Sequence, residues 1–299
     1  MREALQSGHG LVVARAAKTI REHALEGFDG ELIAAFRRLL ADPVKYDPGC
    51  RGKLASLDAL DFGGHDDAAV FVEATKTFQP EPAWGPPVDT ACGIRARGVL
   101  ALARLAHPDL SLVAGGLLAD PESPVRQAAA EALSANGDRA LAGALALRWN
   151  IGDEDPLVIL ACMTGLLALA PDHALPRLRD ALHGADDGRR ELAALALGPS
   201  TRPEALETLL AHLQAAPRAS ERAPTLRALG LQRNDRALAV LLDVVTSGTI
   251  QDAEAAVAGL AARRFEAGVR ERTHAAAREN PAAERLKLAI ASAFSEGAG

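Results

Sequence analysis

The same succession of breaker, cap and apolar stripe returns along most of this chain at intervals of roughly 27–36 residues, and that return limits the fold more than any other feature. It is clearest at Asp120-Pro121-Glu122-Ser123-Pro124-Val125-Arg126, which runs on through Ala128, Ala129 and Ala132 to Leu133. Val125, Ala128, Ala129, Ala132 and Leu133 fall at i, i+3, i+4, i+7 and i+8, one face of a helix. Ser123 is placed to cap the first free amides, and Pro124 suits the first helical position, where no donor is needed. Asn136-Gly137 then supplies a residue that tolerates the left-handed conformation in which helices end. A second helix is expected over roughly 138–149.

The unit recurs. Asp155-Pro156 opens a helix to about Ala170, and Pro171-Asp172 leads into another near 173–183. Arg189 to Leu197 is followed by a return helix from Pro203 to about Gln214. Further helices are expected over 224–231, 235–246 and 251–262, and Asn280-Pro281 opens a last one. Two short helices cannot bury their apolar stripes alone, whereas stacked neighbours bury them together. The composition agrees: 48% of residues are apolar but only 3% aromatic, which suits thin Ala/Leu helices packed at short range.

The run Asp120-Pro121, Val125-Arg126, Ala129, Ala132-Leu133, Gly137-Asp138 resembles the HEAT repeat, in particular its short bacterial phycobilisome-lyase form. The resemblance is sharp there and looser over 155–297. It implies an all-α fold, a right-handed α-solenoid of stacked helix pairs, here expected as one solenoid over 1–299. It implies no particular function, since such repeats serve in scaffolds, lyases and a few enzymes.

Residues 1–88 break the rhythm. Helices are expected near 10–26, 30–41, 50–61 and 66–76, with longer joints than in the regular repeats of 89–299. Seven of the ten aromatic residues lie here: Phe28, Phe36, Tyr46, Phe62, Phe71, Phe78 and Trp84. They fit either a bulky terminal cap or a recognition surface. Two segments stand apart: Tyr46 to Lys53, and the Pro/Trp loop at 77–89. Pro80, Pro82, Pro86 and Pro87 are expected to exclude helix and sheet pairing and to hold that loop extended, in polyproline-like form. Two roles are open to it, recognition element or clasp across two repeats, and Asp89 is placed to cap a helix over 90–106.

Charge and chemistry narrow the function. The net charge is −6, so no global field attracts phosphate backbones and nucleic acid is not the expected partner. Cys50, Cys92 and Cys162 form neither a disulfide framework nor a zinc site. The N-terminus lacks the apolar run of a secretory signal, and no stretch of about 18 uncharged apolar residues is present. A soluble, cytoplasmic protein with no membrane partner is expected. Nucleotide-loop, zincin and nucleophile-elbow motifs are missing, as are the His-Glu dipeptides of deoxyhypusine hydroxylase, an iron enzyme of HEAT repeats. No cofactor and no metal are expected. The leading expectation is a non-catalytic scaffold that binds a protein or peptide on the inner face of the solenoid. The candidate contact residues are Arg51, Lys53, Gln79, Glu81, Trp84 and Asp89. Arg51 and Lys53 could also hold an anion at a helix N-terminus, and Cys50 beside them could have a depressed pKa. The alternative is a HEAT-type enzyme, a DNA glycosylase or bilin lyase, with its site between 46 and 95.

Overall fold

The structure, a computed structural model, describes residues Met1–Ser295. It is 72% helical, with 19 helices among those residues and one short two-stranded sheet. Two compact units divide the chain, Met1–Gly165 and Leu166–Gly299.

The first unit begins with α1 (Arg2–Leu5), α2 (Gly10–Glu22), α3 (Asp29–Leu39), α4 (Pro43–Tyr46), α5 (Arg51–Phe62) and α6 (Ala69–Ala74). Strands β1 (Pro80–Ala83) and β2 (Gly85–Asp89) follow, then α7 (Cys92–Arg104), α8 (Leu110–Leu117), α9 (Ser123–Asn136) and α10 (Ala142–Ile151). Helix α11 (Pro156–Leu169) runs across the division. α2, α5, α7 and α9 stack in sequence, and α3, α6 and α8 cover them from one side. That is the expected stack of helix pairs. Small residues let the helices approach: a Cβ on Gly52 would lie 2.7 Å from the carbonyl oxygen of Gly10 on the neighbouring helix. Leu133, Val125, Ala129 and Ala132 are all buried, as the apolar stripe requires.

The second unit holds α12 (Pro171–His183), α13 (Asp187–Leu197), α14 (Pro203–Ala215), α15 (Ala219–Leu231), α16 (Asp235–Ser247), α17 (Ile250–Ala261), α18 (Val269–Glu279) and α19 (Ala283–Ala293). Here α13, α15, α17 and α19 form the successive stack, with α12, α14, α16 and α18 behind it. α15 begins five residues earlier than the expected start at Pro224, which is buried inside the helix. The ring removes one amide donor, but burial of Leu226 and Leu229 on the same helix outweighs that loss.

A ladder of buried and half-buried cations ties each stack together. Arg126 donates to the carbonyls of Asp120 and Pro121 at 2.8 Å and forks onto Asp153, ahead of the next helix pair in the same unit, at 2.8 and 2.7 Å. Arg222 repeats this with the carbonyls of Ala216 and Pro217 and the carboxylate of Asp252. Bidentate guanidinium–carboxylate pairing fixes direction as well as distance, which sets one repeat on the next. One sequence-based assignment is corrected here. Ser123 makes no capping bond; its hydroxyl donates instead to Asp155 at 2.7 Å, where the next repeat begins.

Candidate functional site

Within the stretch that breaks the repeat, residues 80–89 form a hairpin standing on a polar base built from residues between 43 and 95. Contrary to the polyproline expectation, β1 and β2 pair antiparallel, with Pro80 opposite Asp89 and Glu81 opposite Val88. Both strands of a two-stranded ribbon are edges, so prolines are tolerated wherever no ladder donor is needed. The Thr90 amide closes the base by donating to the Gln79 carbonyl at 3.0 Å. Trp84 sits at the turn beside Gly85, whose φ of 134° only glycine adopts readily. The indole is fully exposed. The clasp role for this residue, which requires its burial against flanking helices, is therefore not what the fold provides.

Under the hairpin, Gln79 is buried, and its Nε2 donates to the Asp47 carbonyl at 3.0 Å and to Glu81 Oε1 at 2.7 Å. Glu81 Oε1 also accepts from the Gly49 amide and the Thr90 hydroxyl, each at 2.7 Å. Burial opposes its charge, yet these bonds from Thr90, Gly49 and Gln79 hold the carboxyl below its usual range. The Gly49 bond anchors a strained corner. Gly49 has φ 71° and Cys50 φ 57°, a left-handed conformation that costs a cysteine about 1–2 kcal/mol. Cys50 is buried, with Sγ 3.4 Å from the Thr90 hydroxyl, and burial pushes its thiol up. The sequence-level suggestion of a depressed, reactive Cys50 fails because desolvation outweighs the Lys53 charge. Burial likewise pushes Cys162 up to about 12.

Lys53 and Asp89 belong to the ladder. Lys53 is wholly buried, its Nζ 3.1 Å from Asp47 Oδ2, and Asp47 also accepts from the Gly52 and Lys53 amides. Asp89 Oδ1 takes the Gln79 and Ala91 amides at 2.9 and 3.0 Å, while Oδ2 takes Arg95 at 2.6 Å. Asp89 is not the expected cap of α7, whose N-cap is Ala91 with no side-chain bond; it accepts the Ala91 amide just ahead of the helix and binds the hairpin to it through Arg95. Arg95, fully buried, forks onto Asp120 at 2.8 and 2.9 Å, donates to the Thr77 carbonyl at 3.0 Å and lies 4.0 Å from the Phe78 ring centre. Sequence reading missed Arg95. The signal was present: Asp47 and Lys53, Asp89 and Arg95, Asp120 and Arg126 share one spacing of six residues.

Of the six candidates, Gln79, Glu81, Lys53 and Asp89 therefore form the interior of the hairpin base, and Trp84 is its exposed tip. Arg51 is exposed at the first turn of α5 and points to a different surface, a groove between α2 and α5. In the second unit the fold brings together two histidines that look scattered in sequence. His183 and His212 meet edge-on at 4.9 Å, with His212 Nδ1 2.8 Å from the Thr225 hydroxyl. Burial, then the nearby His183, lowers the pKa of His212. No group of three or more metal-ligating side chains is found among the described residues, and no helix among them is long and apolar enough to cross a membrane.

The base makes the protein acid-sensitive in a predictable direction. Burial opposes charge at Asp89 and Asp153, but amide and guanidinium hydrogen bonds outweigh it and depress both carboxyls, as they do Glu81. A depressed folded-state pKa gives stability that is fully present above the unfolded value, about 4, and is lost as pH falls through the folded value. The urea midpoint is expected to drop steadily as pH falls below about 5, and Asp89→Asn is expected to flatten the slope. An unchanged midpoint through this range contradicts the assignment.

No family model matches the chain, and no curated protein matches it. Three solved structures of low identity align along most of its length, all HEAT-like helical repeat proteins. The Escherichia coli protein YibA is 16% identical, with 94% of this chain and 96% of that one covered and a TM-score of 0.45. The complex of CpcE and CpcF of phycocyanin lyase from Nostoc is 15% identical over 90% and 95%, TM-score 0.39. Human deoxyhypusine hydroxylase is 17% identical over 95% and 97%, TM-score 0.31. The reading of this chain rests on its own geometry.

Proposed function

We propose that this chain is a non-catalytic protein-interaction module and that the hairpin over 80–89 is its recognition element. The observation that carries this is Trp84, fully exposed at the tip of a ribbon whose base is fixed by buried hydrogen bonds. An indole in water has an apolar face with nothing to cover it, and a rigid support removes most of the ordering cost of docking. Phe78 and Val88 are also exposed, toward the base of the same ribbon. The enzyme alternative between 46 and 95 has less support: the carboxylates of the base are already held by neighbouring donors, and burial pushes up both thiols there, Cys50 and Cys92. Three free cysteines suit a reducing compartment such as the cytoplasm. The test is affinity capture from extracts of the source organism with wild-type and Trp84→Ala protein, alongside their thermal melts. Trp84→Ala is expected to leave the melting temperature unchanged and to weaken the captured complex by about 2 kcal/mol or more. A large loss of thermal stability with unchanged capture overturns the reading.

A further inference from the structure

A second surface of the first unit carries a charge that the chain as a whole does not. Between α2 and α5 runs an open groove of about 630 Å³. Arg15, Lys18 and Arg21 line it from α2, and Arg51 lines it from the first turn of α5. Residues three apart on a helix share a face, so the three α2 cations form one row. Two of the four are partly neutralised, Lys18 by Glu22 at 3.6 Å and Arg21 by Asp58 at 3.7 Å. Arg15 and Arg51 are exposed and have no carboxylate partner among the described residues. The row is thus an excess of positive charge on a protein of net charge −6. The floor between the charges is apolar: Ala14, Leu54 and Ala55.

We infer that this groove binds an acidic peptide segment, with carboxylates on Arg15 and Arg51 and small apolar side chains on Leu54 and Ala55. Guanidinium groups favour carboxylates because they offer paired, planar donors. The apolar floor suits a chain whose side chains alternate in character. A nucleic acid strand fits less well. No aromatic ring lines the groove for bases to stack on, Glu22 and Asp58 face the phosphates, and the overall charge repels a long polyanion. The inference stands apart from the hairpin, since Trp84 is not part of the lining.

The experiment is fluorescence anisotropy on the full chain with a fluorescein-labelled peptide of Glu-Glu-Leu repeats. A peptide with Gln for Glu and an oligothymidylate of matching charge are run beside it. The Glu peptide is expected to bind with an affinity that falls as salt rises, because exposed pairs are screened. The Gln peptide is expected not to bind. Reversing both free cations, Arg15→Glu with Arg51→Glu, is expected to weaken binding about tenfold or more. These exposed positions leave the helical circular dichroism unchanged, and Lys18→Gln gives a milder loss in the same direction. Trp84→Ala is expected to have no effect, so failure of the hairpin reading and failure of this one are distinguishable. No binding of the Glu peptide, indifference to the double reversal, or tighter binding of oligothymidylate overturns the inference, the last by assigning the groove to nucleic acid.

Discussion

Arg95→Ala is expected to destabilise the protein by about 3–5 kcal/mol, the range for removing one partner of a buried ion pair. The guanidinium is wholly buried and serves three groups: Asp120, Asp89 and the Thr77 carbonyl. Its loss strands two carboxylates at once, Asp120 with 2% and Asp89 with 14% of its side chain exposed. Neither can recover full hydration without opening the joint between α7 and the turn before α9. The damage is therefore expected to spread to the hairpin, because Asp89 also holds the Gln79 amide. Arg95→Lys keeps the charge but not the fork, and is expected to recover only part of the loss. Urea melts give the magnitude, and hydrogen exchange over 77–90 gives the location. A loss below about 1 kcal/mol would mean that the ladder is ornamental.

The second large effect is expected at Gly230, where α15 crosses α17. A Cβ there would lie 1.9 Å from the carbonyl oxygen of Gly259. Helix propensity alone favours Gly→Ala by about 1 kcal/mol. Backbone cannot yield as a flexible side chain can, so the helices must separate, and overpacking of this kind costs about 1–3 kcal/mol or more. The clash wins, and Gly230→Ala is expected to lower the melting temperature sharply. Gly115, with nothing within 4 Å of its Cβ position, is the control, where the same substitution is expected to raise stability by up to about 1 kcal/mol. Equal effects at the two positions contradict the close crossing.

What the sequence reveals and what it hides follow from the range of the forces. The helices over 123–136, 156–169 and 235–247 are legible because each buries one continuous stripe and begins at a proline or a capping Asn or Asp. α15 is misjudged because Pro224 reads locally as a start, while burial of Leu226 and Leu229 by neighbouring helices carries the helix through it. The hairpin is misjudged for the opposite reason. Four prolines argue against a sheet interior, but a free-standing ribbon has no interior strand. Lys53 finds Asp47 six residues back and Asp89 finds Arg95 six residues on, whereas Gln79 and Glu81 also reach Asp47 and Gly49, 32 residues away. Spacing within one segment cannot separate a buried network from an open site. Trp84 is the exception, since a tryptophan between Ala83 and Gly85 at a turn has no neighbour in sequence able to cover it.

The central claim is that Trp84 touches the partner. Its most direct test replaces Trp84 with photo-reactive benzoyl-phenylalanine and irradiates the protein in extract of the source organism, with the same group at exposed Leu112 on α8 as the control. The account predicts a discrete adduct from position 84 that is missing from position 112. Adducts of equal pattern from both positions, or none from 84, would contradict it.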